Sequence, residues 1–294
     1  MFVRAFFGSV FLGVFVAMGT PGAHAREPSA QSVSADPMLS GPDAEAAVAE
    51  CLGNRTERVE MLSDGITLCW TAAIYPTDFL RFESLRTDAK RVVFSSRGGN
   101  VVTAMTLAAR LTQLDLPVIL AGRCVSACAS VITPGITNAR VHPTAYFLVH
   151  GITGLERGVF LDDYRWRKAP KEGEATPLES LSLAAEFAWN YYSVQWPRTL
   201  RFFEQRAIAH DYMREPDLRM LEAKSDLGCP LELMDYFAVL SRDHLRTFLG
   251  ERLAMIEDFI DDPAALSDKE YLQPISADGV LAYKGALREQ NCAP

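Results

Sequence analysis

The sequence predicts an α/β domain built on parallel strands, followed by a mainly helical region. Two patterns carry that expectation. Between residues 56 and 149, short apolar β-branched runs alternate with segments of helical spacing. That βαβ rhythm implies parallel pairing and right-handed crossovers. From residue 178 onward the apolar positions return at helical intervals instead: Leu181, Leu183-Ala184, Phe187-Ala188, Tyr191-Tyr192.

The chain opens with Met1-Phe2-Val3-Arg4, an apolar run over 5–19, and Ala23-His24-Ala25. A basic start, a short apolar stretch and an A-x-A site together read as a secretory signal peptide over 1–25, too short for a membrane span. Residues 26–45 are rich in Ser, Ala, Pro and Asp and read as a disordered leader. The α/β core is expected over 46–158, an exposed charged insertion over 159–177, and the helical region over 178–294. No later segment is apolar enough to span a membrane, so none is expected after signal cleavage.

Within the core, residues 56–75 read as one or two strands. Pro76 to Lys90 reads as a helix, with Thr77 or Asp78 as its cap. Strand 92–96 follows, then a helix opened by Gly99 or Asn100 and carrying Val102, Met105, Leu107-Ala108, Leu111 and Leu114. Strand 118–121 runs into a short helix over 127–133, broken near Pro134-Gly135. Strand 145–149 ends in His150. Beyond Pro197, helices are expected over 198–213, 217–226 (ended by Gly228) and 243–259.

The formal net charge of −8 and the lack of a basic cluster argue against nucleic acid as a partner. Six cysteines (51, 69, 124, 128, 229, 292) all follow the signal segment, and an even count in an exported chain favours disulfides. The expected set holds at least two bridges, with 51–69 as a local loop and 124–128 as a clamp on the turn between them. No cysteine–histidine spacing matches a zinc site, and no metal is expected.

The chemistry-bearing residues sit at strand ends. Strand 118–121 leads to Cys124-Val125-Ser126-Ala127-Cys128, and a helix begins just after the serine. Ser126 is then a candidate nucleophile, and the Ala127 N–H, at a helix N-terminus, a candidate oxyanion donor. The plain alternative is that Ser126 only caps the helix. His150, at the end of the next strand, is the candidate general base. His142 lies before that strand and ranks below it. Gly98 and Gly99 would supply a second oxyanion donor, because a side chain there would block close backbone approach; an ordinary strand-to-helix turn would also use glycine.

At these residues the chain resembles the Clp peptidase branch of the Clp/crotonase superfamily. The family pattern is a Ser-Pro-Gly-Gly turn, a helix, a strand into a serine among small residues, and a strand ending in histidine. Here the turn reads Ser96-Arg97-Gly98-Gly99, with arginine replacing proline, and the histidine lies 24 residues beyond the serine. The likeness covers roughly residues 60–155. It implies a ββα-repeat core, an exported serine peptidase that needs no cofactor, a peptide or protein substrate, and self-assembly. It also implies a triad aspartate some fifty residues past the histidine. That count lands near Thr199, where there is no acid. Glu204, Asp211 and Asp217 are the later candidates, and Asp162-Asp163 lie nearer in the charged loop. A catalytically inactive binding or assembly module on the same fold is the competing expectation. Acyl-thioester chemistry ranks third, because coenzyme A is scarce outside the cytoplasm.

Overall fold

The computed structural model describes residues 37–53, 56–150, 193–194, 197–228, 231, 235–250, 252–267, 272–290 and 292. The expected signal peptide, most of the leader, the charged insertion with Asp162-Asp163, and the helical repeat over 178–192 lie outside them.

One mixed sheet organises the described residues, with strand order β1-β2-β3-β4-β6-β7-β10-β9. Its centre is β2 (Thr67–Trp70), β3 (Arg91–Ser96), β4 (Val118–Val125) and β6 (Tyr146–His150), joined in parallel as the βαβ rhythm requires. β1 (Val59–Met61) adds an antiparallel edge. Helices α2 (Pro76–Leu85) and α3 (Val101–Gln113) make the crossovers. Asn100 caps α3 by accepting from the Thr103 N–H at 2.9 Å. Helix α2 starts earlier than expected: Tyr75 is the N-cap and Pro76 follows it, a position where the missing N–H has no consequence, so neither Thr77 nor Asp78 caps.

Side chains alternate across the central strands. Phe94, Leu120 and Phe147 face the main core with Trp70, Leu107 and Tyr212, while Val93 and Ile119 face α1 (Pro42–Gly53) with Ala47 and Val48. Burial on both faces explains why these strands read as unbroken apolar runs. α1 begins inside the span expected to be leader. Leu39 and Ala44 are buried against β3 and β4, so residues 39–45 belong to the packed body.

β4 changes partner midway. Val118–Leu120 pair with β5 (Ala139–Val141), whereas Arg123–Val125 pair with β6. Gly122 stands at the change, with φ +62 and with the Ser95 hydroxyl and Leu52 filling the space a β-carbon would need. Two steps along β3 there match four along β4. The bulge carries the end of β4 past β3 and presents the turn after Val125.

The C-terminal region is less helical than the sequence suggests. Helices Asp211–Leu227, Arg242–Leu249, Pro263–Ser267 and Lys284–Glu289 are interleaved with β7 (Tyr236–Val239), β8 (Met255–Ile256), β9 (Leu272–Pro274) and β10 (Val280–Tyr283). β7 pairs antiparallel with β6, and β10 and β9 extend the sheet from it. The stretch expected as one helix over 243–259 stops at Leu249, and Met255–Ile256 pairs with β5. Strands of two to four residues are too short to show a period of two. The helices expected over 198–213 and 217–226 are instead a segment at 197–204 and one continuous helix over Pro216, which ends at Gly228 in the left-handed conformation as expected. No helix among the described residues is long and apolar enough to cross a membrane.

Candidate active site

The carboxyl ends of β3, β4 and β6 lie side by side, and each delivers one of the candidate residues. Ser126 follows β4 with φ +56, unusual for a residue with a side chain. Its N–H donates to the Leu148 carbonyl at 2.8 Å, and its own carbonyl accepts from the Ser130 N–H at 2.8 Å. The first bond fixes the serine beside β6, two residues before its end at His150. The second starts the helical turn, which is π-type over Cys128–Ile132.

Gly98 lies against this turn. A β-carbon there would stand 2.5 Å from the Val125 carbonyl oxygen, 2.6 Å from Ser126 Cβ and 2.9 Å from the Ala127 nitrogen. Its φ of +89 and this crowding both require glycine. The glycine turn, the serine and the first helical amide are thus in contact, as the strand order demands.

The amides divide their work. The Gly98 N–H donates to the Ser96 hydroxyl at 3.1 Å, and that hydroxyl donates to the Ala72 carbonyl at 2.8 Å. The Gly98 carbonyl accepts from Ile74 N–H, and Asn100 N–H donates to the Ile74 carbonyl, each at 2.8 Å. The Gly99 N–H, between them, donates to nothing among the described residues. Nor does the N–H of fully buried Ala127. Of the two glycines, then, Gly99 retains a donor and Gly98 supplies the space. The part played by Ser96 is one that sequence reasoning missed. A serine two residues before a glycine is unremarkable, and its partner Ala72 lies 24 residues away.

His150 ends β6 on the face of Tyr146 and Leu148. Its ring lies 5.1 Å from that of Phe237 on β7. Burial pushes its pKa down to about 4, so the imidazole is neutral at pH 7. Its Nδ1 is buried and makes no hydrogen bond among the described residues. No hydrogen bond joins Ser126 Oγ to His150 in this state.

Among the described residues, none of the candidate third members Glu204, Asp211 and Asp217 hydrogen-bonds His150 Nδ1, and Asp162-Asp163 lie outside them. Glu204 is exposed near His210 at 3.8 Å, and Asp211 is exposed near Arg214 at 3.9 Å. Asp217 is buried in the Asp211–Leu227 helix and makes no hydrogen bond to His150 Nδ1. His142 is a structural residue elsewhere: its ring bridges Glu45 Oε2 and Thr144 Oγ1, each at 2.8 Å, and Thr144 Oγ1 accepts from the Gly122 N–H. That contact and the Arg140 guanidinium hold the Glu45 carboxyl below its usual range. Arg97, where the family has proline, is exposed and pairs with Glu57 at 3.3 Å; Arg123 reaches the same carboxylate at 3.1 Å.

Two disulfides join pairs of described residues. Cys51–Cys69 ties α1 to β2, and Cys124–Cys128 spans the serine turn with its Cα atoms 5.1 Å apart. Cys292 is also disulfide-bonded, and Cys229 lies outside the described residues. Among the described residues no cluster of three His, Cys, Asp or Glu could hold a metal ion.

No protein-family model matches the chain, and no curated protein matches its sequence. Solved structures do match. One is a ClpP1 mutant from Listeria monocytogenes, with 12% identity and TM-score 0.39, covering 67% of this chain and 94% of that one. Another is a mutant of the 1510-N membrane-bound stomatin-specific protease, with 13% identity and TM-score 0.31, covering 70% of this chain and 85% of that one. At such scores the likeness is coarse.

Proposed function

We propose that this protein is an exported serine hydrolase, a peptidase, acting from the corner where Gly98, Ser126 and Ala127 meet. Ser126 attacks a carbonyl carbon. His150, neutral at pH 7, takes the hydroxyl proton and returns it to the leaving group. The Ala127 and Gly99 N–H groups hold the oxyanion. The reading rests above all on the Ala127 amide. It is buried at the start of a helix without an acceptor among the described residues, and glycine at 98 keeps open the space beside it. Buried amides nearly always have partners, and a substrate oxygen beside the serine would give this one its acceptor. Export fits the two disulfides, which persist in oxidising compartments. The substrate is a peptide or protein, and assembly with further copies of the chain belongs to the same reading by resemblance alone.

A fluorophosphonate probe on the mature protein tests this. The wild type should label at Ser126, Ser126→Ala should not, and His150→Gln should label roughly 10²–10⁴-fold more slowly. A wild type that takes no probe and cleaves no peptide refutes it. The second reading, an inactive binding or assembly module, is favoured by the geometry at His150: among the described residues its Nδ1 bonds neither Ser126 nor an acid.

A further inference from the structure

We infer that the Cys124–Cys128 disulfide is a positioning device for Ser126, so that the nucleophile becomes competent only after this bridge has formed. The inference rests on the hydrolase reading.

The bridge joins the residue two before the serine to the residue two after it. Five residues in extended conformation would separate their ends by roughly 13 Å, at about 3.3 Å per step. The bridge holds Cys124 and Cys128 at a Cα separation of 5.1 Å. The chain must therefore reverse within these residues, and the reversal is made where Ser126 adopts φ +56. A residue with a β-carbon disfavours that region and remains in it only when its surroundings compel it.

The compulsion comes from below. Both cysteines are buried in the main core, while Ser126 is partly exposed above them. Thr133 reinforces the tie, donating to the Cys128 carbonyl at 3.1 Å with its oxygen 3.3 Å from Cys124 Sγ. The turn that follows is π-type, a rare single-turn form of helix. Above the serine, Gly98 lies so near that a β-carbon on it would stand 2.6 Å from Ser126 Cβ and 2.9 Å from the Ala127 nitrogen.

Global stabilisation does not account for the bridge as well. A loop this short constrains the unfolded chain less than the longer one closed by Cys51–Cys69, whose cysteines are 18 residues apart. Its distinctive effect is local, on the turn it encloses. Closing it moves two electrons and two protons from the Cys124 and Cys128 thiols to a disulfide-bearing oxidant, which leaves as two thiols. Before that exchange the serine turn is free to relax, and the hydrolase is silent.

The test compares Cys124→Ala/Cys128→Ala with Cys51→Ala/Cys69→Ala in the full mature chain, both confirmed folded by circular dichroism at the assay temperature. Fluorophosphonate labelling is followed against probe concentration, which separates probe binding from the bond-forming rate. The first variant should lose at least tenfold in the bond-forming rate, and the second should stay within twofold of wild type. Equal rates in both variants overturn the proposal. If the first variant does not fold, amide hydrogen exchange of Ala127–Ile132 is compared in oxidised and reduced wild type. Exchange should accelerate on reduction and recover on reoxidation; unchanged exchange overturns the proposal. A wild type that never labels refutes the hydrolase reading separately, and the exchange measurement still decides whether the bridge holds the turn.

Discussion

Replacing Gly98 with alanine tests the geometry of the site more directly than replacing any side chain in it. The added methyl would sit 2.5 Å from the Val125 oxygen, 2.6 Å from Ser126 Cβ and 2.9 Å from the Ala127 nitrogen, all inside van der Waals contact. Two of these neighbours are backbone atoms held by the sheet and the disulfide, so they cannot swing aside. Forcing a β-carbon into a left-handed conformation costs about 1–2 kcal/mol, and overpacking a close-packed site about 1–3 kcal/mol. Alanine stiffens the unfolded chain and returns roughly 0.4–1 kcal/mol. The net expectation is a loss of about 2–4 kcal/mol in urea unfolding. Gly65→Ala is the control, because Gly65 has φ +68 but nothing within 4 Å of the new carbon. It should lose only the conformational part, about 1 kcal/mol, and label normally. In Gly98→Ala, labelling should fall by about 10²–10³-fold, the usual effect of losing one oxyanion donor. If the two variants behave alike in stability and labelling, Gly98 is an ordinary turn glycine and the argument from close approach is wrong.

Two further outcomes are expected. The His150 imidazole has a folded-state pKa of about 4 against an ordinary 6.5, so between those values the unfolded chain binds a proton that the folded one does not. Stability should therefore be complete above pH 6.5 and fall by up to about 3 kcal/mol as pH drops towards 4. Glu45 and Glu83 add acid sensitivity of their own, so the quantity to measure is the difference from His150→Gln, which should vanish near pH 7.5 and favour the variant near pH 4. Mass spectrometry of unreduced mature protein should find Arg26 at the N-terminus and, because Cys292 is disulfide-bonded and four of the other five cysteines are paired with each other, a Cys229–Cys292 crosslink. Intact Met1 or an alkylatable Cys229 would count against these two expectations respectively.

The legible part of this chain is the part whose neighbours in space are also neighbours in order. β3, β4 and β6 announce themselves as apolar runs because both faces are covered, and parallel pairing then brings their carboxyl ends together. For that reason the positions of Ser126, His150 and the glycine pair, at adjoining strand ends, were legible. What escaped depends on contacts between distant segments. β7 and β10 are four-residue strands that exist because β6 offers an edge to β7 and β7 to β10. Leu39 looks like part of a polar leader until α1 docks on Val93 and Ile119. Ser96 gains its role only when Ala72 and Gly98 approach it from either side. The third triad member was sought by counting residues from His150, and the count lands near Thr199, where there is no acid.

The two functional readings differ in what they ask the protein to tolerate. A buried N–H or imidazole nitrogen without a partner costs about 1–3 kcal/mol, and a residue such as Ser126 at positive φ adds to that. A fold kept only for assembly gains nothing from bearing these penalties, and small changes would remove them: glycine at 126 would relax the backbone, and an apolar residue at 150 would end the orphaned nitrogen. Among the described residues the Ala127 amide and His150 Nδ1 make no hydrogen bond, and both lie with the left-handed serine at adjoining strand ends. Buried unpaired nitrogens also occur away from these strand ends, as at Arg140 Nε and Arg252 Nε, and Asp115 and Ala207 also have positive φ. Proteins tend to concentrate unsatisfied donors and backbone strain where a ligand or a transition state will relieve them. A carbonyl oxygen entering beside Gly98 would satisfy the Ala127 amide in one step. That relief is specific to the hydrolase reading, and it rests on the Ala127 amide and the serine beside it.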